Sequence, residues 1–242
     1  MREKEFKIPI PDTKLNIYAK QYGSLDQPVV VFVHGLTGHM DEHLFYNGAR
    51  YFHEHGISSL RFNLYDYEKD ARKLTNCTLK DHSYDLNVII DYLLQKKIKK
   101  IFAIGHSYGG PTILLANHNQ LDGMVLWDPS YGDIFDESDD AKYVKEINSY
   151  RIRWGTDVLI GAKMRDEAKK LAWDSLTKTI TTPLKVISAG QGVLMKEGKK
   201  YVELAQGPKD YVIIRKAGHN FNEEGTAEEL FDESIKWLKK FI

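Results

Sequence analysis

Short apolar runs alternate along the chain with stretches in which apolar residues recur every three or four positions. Strand, helix, strand alternation of this kind is typical of βαβ units, so the pattern predicts an α/β fold with a mostly parallel sheet flanked by helices. Two early stretches, Phe6–Ile10 and Leu15–Gln21, predict an antiparallel pair at one edge of that sheet. The other predicted strands are Val29–Val33, Ser59–Leu64, Lys100–Ile104, Gly123–Trp127, Leu184–Ser188 and Tyr211–Ile214.

Helical periodicity is clearest between Leu86 and Leu94 and again from Leu230 to Ile242. The segment between the strands at 123–127 and 184–188 shows no clear strand pattern but is rich in aromatic residues. A structureless loop of that length is uncommon in a compact domain. We therefore expect residues 131–180 to form a helical cap inserted into a single domain that spans residues 1–242. A helical excursion that only shields the sheet is the alternative.

The composition argues against several classes of function. Of the 242 residues, 34 are Lys or Arg and 34 are Asp or Glu, and a net charge of zero argues against a nucleic-acid partner or an anionic membrane surface. The lone cysteine, Cys77, excludes an intrachain disulfide and a Cys-based zinc site. No apolar run is long enough to span a bilayer, so we expect no integral membrane contact. Residues 1–7 lack the apolar region of a secretory signal, and we expect a cytoplasmic protein.

The strongest chemical signal is the segment Gly105-His106-Ser107-Tyr108-Gly109, which has the pattern G-x-S-x-G. It follows a predicted strand and precedes a helical run, and this is the setting that a nucleophile elbow requires. The glycines leave room for a sharp turn that lifts the Ser107 hydroxyl to the carboxyl edge of the sheet. We interpret Ser107 as a catalytic nucleophile, with an exposed serine in a glycine-rich turn as the alternative.

A serine nucleophile needs a base, because its hydroxyl reacts poorly at its ordinary pKa. His219 follows the last predicted strand, which places it at the same sheet edge as Ser107. The loop His34–Gly38 follows the strand at 29–33, and backbone N–H groups there suit an oxyanion hole. We expect the amides of Leu36 and Tyr108 to bind the oxyanion, and His34 to brace its loop.

A metal site is a weak alternative. His39 and His43 have the spacing of two ligands on one helix, but Glu42 is misplaced for the metalloprotease motif and no third ligand is evident. We therefore expect neither a metal nor an organic cofactor.

These motifs resemble those of α/β-hydrolase-fold serine hydrolases, over essentially the whole chain. The matching parts are His34-Gly35, the elbow around Ser107, and Gly218-His219. Within that family, the segments that begin at His34 and at Gly56 are similar to small carboxylesterases of the cinnamoyl-esterase and monoacylglycerol-lipase kind. The resemblance implies a Ser, acid, His triad with a variable cap.

Two positions depart from the family pattern. Asn63 stands where the family usually carries Asp, a change that should matter only to the structure. Val193 stands where the resemblance places the triad acid, and valine cannot orient a histidine. The candidate replacement is Asp128, which ends the strand after the elbow helix, as in some lipases of this fold. An Asp that merely starts a turn before Pro129 is the alternative reading, and Glu197 is the second candidate for the acid.

The sequence thus predicts a serine ester hydrolase that acts on a small-molecule ester, with Ser107, His219 and Asp128 as its triad. Thioester or amide hydrolysis and acyl transfer remain open, because all share the acyl-enzyme. A non-catalytic binding protein on a hydrolase scaffold also remains open, supported by the missing acid at Val193. Substrate contacts are expected from the cap. The sequence does not specify the acyl and alcohol preferences of the substrate or the oligomeric state.

Overall fold

The central sheet of the computed structural model has the strand order β1-β2-β4-β3-β5-β6-β10-β11. The structure describes residues 3–132, 141–154 and 156–242. The strands of this sheet are β1 (Lys4–Pro9), β2 (Asn16–Tyr22), β3 (Val29–Val33), β4 (Ser58–Phe62), β5 (Ile101–His106), β6 (Gly123–Trp127), β10 (Leu184–Ala189) and β11 (Lys209–Ile214).

Strands β4, β3, β5, β6, β10 and β11 run parallel, whereas β1 and β2 form an antiparallel pair at the edge next to β4. The predicted fold class and the predicted edge pair are both confirmed. The predicted strands differ from the observed ones by at most two residues at either end. Apolar runs buried on both faces made the central strands recognisable, and in β3 every residue is buried.

Helices cover both faces of the sheet. They are α1 (His43–Glu54), α2 (Leu79–Gln95), α3 (Gly109–Leu115), α4 (Ala162–Ala168), α5 (Trp173–Thr177), α6 (Met195–Leu204) and α7 (Thr226–Leu238). Because successive strand residues point to opposite faces, β3 supplies both layers of the core. Val31 packs in the layer beneath α2, α3 and α6, and Phe32 packs in the layer beneath α1 and α7.

The segment between β6 and β10 differs from the expected helical cap. It contains a three-stranded antiparallel sheet, β7 (Ala141–Val144), β8 (Ser149–Trp154) and β9 (Thr156–Gly161), followed by the short helices α4 and α5. In β9, Val158 and Ile160 turn inward while Asp157 and Leu159 turn outward, which is the alternation of a half-buried strand. The run Val158-Leu159-Ile160 obscured this period of two, because the exposed Leu159 is apolar as well. Residues 133–140 of the predicted cap lie outside the described residues.

The inserted strands attach to the main body through a small apolar cluster. It joins Ile152, Ile160 and Met164 of the insertion to Cys77 and Tyr108 of the main body. Among the described residues, no helix combines the length and the apolar character that crossing a bilayer requires.

The alternation in β9 predicts that substitutions at two neighbouring positions have different effects on stability. Ile160 is 0% exposed and Leu159 is 40% exposed. We expect Ile160→Ala to lower the free energy of unfolding by about 2–5 kcal/mol, because it removes buried methyl groups and leaves a cavity. Leu159→Ala, the matched control, should change it by less than about 0.5 kcal/mol. Urea unfolding followed by circular dichroism measures both, and equal losses would contradict the register of β9.

Candidate active site

Ser107 lies in the sharp turn between β5 and α3, at the carboxyl edge of the sheet. Its φ is 54°, in the left-handed region that non-glycine residues rarely adopt. The neighbouring glycines make the turn possible: a Cβ at Gly105 would lie 2.6 Å from the carbonyl carbon of Gly109, and a Cβ at Gly109 would lie 2.3 Å from the oxygen of Val33. The backbone N–H of Ser107 donates to the carbonyl of Trp127 at 3.0 Å, which ties the turn to β6.

Asp128 follows the end of β6, and its side chain is 0% exposed. Oδ1 accepts a hydrogen bond from the N–H of Ala189 at 3.0 Å, and Oδ2 lies 2.7 Å from Nδ1 of His219. An ionised carboxylate only accepts hydrogen bonds, so Nδ1 carries the proton and Nε2 is left as the acceptor. The contact expected between these two side chains is present. Their catalytic roles stay predictions.

His106 holds the backbone of His219. Its Nε2 lies 2.8 Å from the carbonyl oxygen of His219 and donates to it, and the two rings are 4.7 Å apart. Burial, together with the charge of His219, lowers the pKa of His106 to about 3, so its ring stays neutral near neutral pH. This hydrogen bond gives His106 a positioning role for the loop that carries His219.

The loop after β3 passes beside the nucleophile. A Cβ at Gly35 would lie 3.6 Å from Oγ of Ser107. His34 braces this loop as expected: its Nδ1–H donates to the carbonyl of Gly35 at 2.7 Å, and its Nε2 accepts from the N–H of Leu64 at 3.0 Å. Burial lowers the pKa of His34 to about 4, which keeps the bracing ring neutral. The N–H of Leu36 donates to no other described residue, which suits the oxyanion role expected of it.

A cleft of about 590 Å³ opens over Ser107 and His219. The described residues that line it are Gly35, Leu36, Thr37, Gly38, Glu42, His106, Ser107, Ser130, Val193, Leu194, His219 and Asn220. None of the described residues after position 140 in the predicted cap is among them. Some of them, including Ile152, Ile160 and Met164, instead belong to an apolar cluster with Tyr108, and Leu36 packs against that cluster. The expectation that the cap supplies the substrate contacts is not met by its described part.

Three other positions singled out from the sequence can now be placed. Val193 is 88% exposed at the rim of the cleft. Glu197 lies in the first turn of α6, and its buried Oε2 has no hydrogen-bond partner among the described residues. Asn63 is structural, as expected: it accepts from the N–H of Met40 at 2.9 Å and donates to Asp66 at 2.6 Å. Asp128 is therefore the carboxylate that contacts His219 in the described part of the chain.

Comparisons with known proteins agree with this architecture. A family model described as "alpha/beta hydrolase fold" matches residues 28–137. The esterase Est1E from Butyrivibrio proteoclasticus, solved with ferulic acid bound, superposes with a TM-score of 0.81 at 16% identity and covers 98% of both chains. The chain has the α/β-hydrolase fold.

Further solved structures of this fold are similar to the chain. The esterase domain of a Rhodothermus marinus protein has a TM-score of 0.78 at 16% identity, with 100% of this chain and 99% of that chain covered. The Pyrococcus furiosus esterase Pf2001 has a TM-score of 0.73 at 18% identity, with 99% and 93% covered. Identities this low establish the fold alone. No curated protein sequence matches the chain significantly.

The residues of this α/β-hydrolase cleft for which the sequence predicted no role include Glu42 and Ser130. Both lie close in sequence to a residue already assigned to the site: Glu42 follows Leu36, and Ser130 follows Asp128. That proximity is the only sequence signal that could have identified them, because neither belongs to a motif.

The contact between Asp128 and His219 predicts the ranking of two variants. Asp128→Asn should lower the turnover of an ester substrate by about 10²–10⁴-fold, because the histidine loses control of its tautomer. Glu197→Gln should leave turnover almost unchanged, since Glu197 does not contact His219. Steady-state kinetics measure both, with thermal unfolding as the control for folding. The reverse ranking would identify Glu197 as the acid, and silence in both would mean that His219 works without one.

The glycine that faces Asp128 provides a second test. A Cβ at Gly192 would lie 2.9 Å from Oδ2 of Asp128, so Gly192→Ala should displace the carboxylate from His219. We expect turnover to fall by about 10²-fold, and the downfield proton signal of the histidine Nδ1–H to shift. Gly123→Ala is the control, because its nearest neighbour would be a Phe102 ring carbon at 3.4 Å. Wild-type turnover in Gly192→Ala would show that the carboxylate tolerates displacement.

Proposed function

We propose that this protein is a serine hydrolase that cleaves carboxylic esters through an acyl-enzyme on Ser107. The observation that carries the proposal is the 2.7 Å contact between Asp128 and His219, beside a cleft that Ser107 and His219 both line. A buried acid, a histidine whose Nε2 is an acceptor and a serine on a strained turn are the parts that acyl transfer requires.

The reaction follows from these parts. Oγ of Ser107 attacks the ester carbonyl while Nε2 of His219 takes the hydroxyl proton. His219 then gives that proton to the departing alcohol, and water activated by the same nitrogen hydrolyses the acyl-enzyme. Asp128 stabilises the imidazolium that forms in both steps.

The developing oxyanion needs donors that are already in place. We assign this role to the backbone amides of Leu36, on the loop after β3, and Tyr108, which follows the nucleophile. His34 fixes the first donor by holding the carbonyl of Gly35. No step of this mechanism requires a metal or an organic cofactor.

We also propose that the chain is one domain, residues 1–242, in which residues 131–180 act as the cap. Support comes from the cluster that joins Ile152 and Ile160 of the insertion to Tyr108. In this position the insertion restrains the loop after β3, which carries Leu36. Because Est1E was solved with ferulic acid, a hydroxycinnamate ester belongs among the first substrates to test.

Ser107→Ala should reduce ester turnover by about 10³–10⁶-fold, because the nucleophile is removed, while leaving thermal unfolding unchanged. The same variant should lose covalent labelling by a fluorophosphonate probe. Ser175→Ala, an exposed serine on α5, is the control and should label like the wild type. Turnover of Ser107→Ala within tenfold of the wild type on a good ester would contradict the assignment.

A substrate panel separates the related activities. p-Nitrophenyl esters of increasing acyl length, one hydroxycinnamate ester, and matched thioester and amide substrates give the order of kcat/KM values. We expect the oxygen esters to lead. If a thioester or an amide gave the highest kcat/KM, the roles of Ser107 and His219 would stand and the bond cleaved would be a different one. The absence of both turnover and labelling would favour a binding protein.

A further inference from the structure

Glu42 places a carboxylate in the wall of the cleft, and no Lys or Arg of the described part of the chain forms a salt bridge with it. It is the N-cap residue of α1, its side chain is half-buried, and it is among the residues that line the cleft. Its side chain makes no capping hydrogen bond to α1. A partly desolvated carboxylate without a cation is costly, and a charged ligand group is one way to offset that cost.

Two cations of the central sheet, Lys20 and Arg61, contact the residue before Glu42. Nζ of Lys20 lies 2.8 Å from Asp41, and the guanidinium of Arg61 lies 3.4 Å from Asp41. Among the described residues that line the cleft there is no Lys or Arg, and Glu42 is the one carboxylate. One wall of the cleft therefore carries a carboxylate that no Lys or Arg of the described lining balances.

That charge lies close to the site of reaction. A Cβ at Gly38 would lie 3.0 Å from Oε2 of Glu42, so the carboxylate rests against the loop that carries Leu36. Burial raises the pKa of Glu42, while a backbone hydrogen bond from His39 and the charge of His219 oppose that rise. A carboxylate beside an oxyanion hole disfavours the negative charge that develops on the substrate oxygen, because the two charges repel.

We propose that Glu42 forms a subsite for a cationic group of the substrate, so that the preferred esters carry an ammonium group on the acyl or the alcohol side. This inference rests on the proposed ester hydrolysis. A bound ammonium group supplies the counter-ion that the described residues withhold from Glu42, and it cancels the repulsion of the oxyanion. Esters with a carboxylate at the same place are rejected by like charge.

Two pairs of esters with matched shapes test the subsite. On the alcohol side, a choline ester is compared with the 3,3-dimethylbutyl ester of the same acid. On the acyl side, the p-nitrophenyl ester of 4-(trimethylammonio)butanoate is compared with that of 5,5-dimethylhexanoate. In each pair a quaternary nitrogen replaces a quaternary carbon, so the ratio of the two kcat/KM values reports the charge alone.

We expect a ratio of about tenfold or more in favour of the cation in at least one pair, and a ratio near one for the same pair in Glu42→Gln. Glu54→Gln, at the exposed far end of α1, makes the same change in net charge and should keep the wild-type ratio. If Glu42 only supports its loop, Glu42→Gln slows both esters equally and the ratio persists, which overturns the subsite.

The same data separate this inference from the proposed function. Wild-type hydrolysis of both members of each pair at similar rates would overturn the cationic subsite and leave ester hydrolysis standing. Hydrolysis of no member of either pair, with no fluorophosphonate labelling of Ser107, would overturn both. A lower ratio in Glu54→Gln, equal to that in Glu42→Gln, would assign the preference to net charge and also overturn the subsite.

Discussion

A fully buried carboxylate is tolerated only where its oxygens accept hydrogen bonds, and Asp128 meets that condition by joining three strand ends. It follows β6, accepts from Ala189 at the end of β10, and contacts His219 in the loop after β11. The bare backbone of Gly192 leaves the space that Oδ2 occupies. Loss of any of these partners would leave the charge uncompensated, so the site's geometry and the local stability depend on the same contacts.

Two neutral imidazoles position the loops that carry the reacting groups. His106 donates to the carbonyl of His219, and His34 donates to the carbonyl of Gly35. Burial lowers the pKa of both rings far below neutrality, so neither adds a positive charge that would compete with His219 for Asp128. The histidines at 34 and 106 therefore orient the loops through hydrogen bonds, while a third, His219, lines the cleft.

The sheet and the elbow could be predicted because they depend on local patterns: runs buried on both faces, and glycines at 105 and 109 where a Cβ would collide with backbone. The insertion could not, because its half-buried strands alternate weakly among aromatic residues. Glu42 was missed for another reason. Its proposed role comes from the lack of a salt bridge to any Lys or Arg of the described residues. Lys20 and Arg61 pair with Asp41 instead, and such pairings between distant parts of the chain cannot be read from the sequence.

The position of the acid follows from the geometry of the sheet edge. Strands β5, β6, β10 and β11 lie side by side, so Ser107, Asp128, Val193 and His219 follow four successive strand ends. Neighbouring strands are about 4.8 Å apart, so the ends of β6 and β10 both lie between the serine and the histidine. An acid at either place can therefore meet a histidine loop that folds back over the edge. Here the loop after β10 has Val193 in place of a carboxylate, and the bare backbone of Gly192 leaves space for the acid that follows β6.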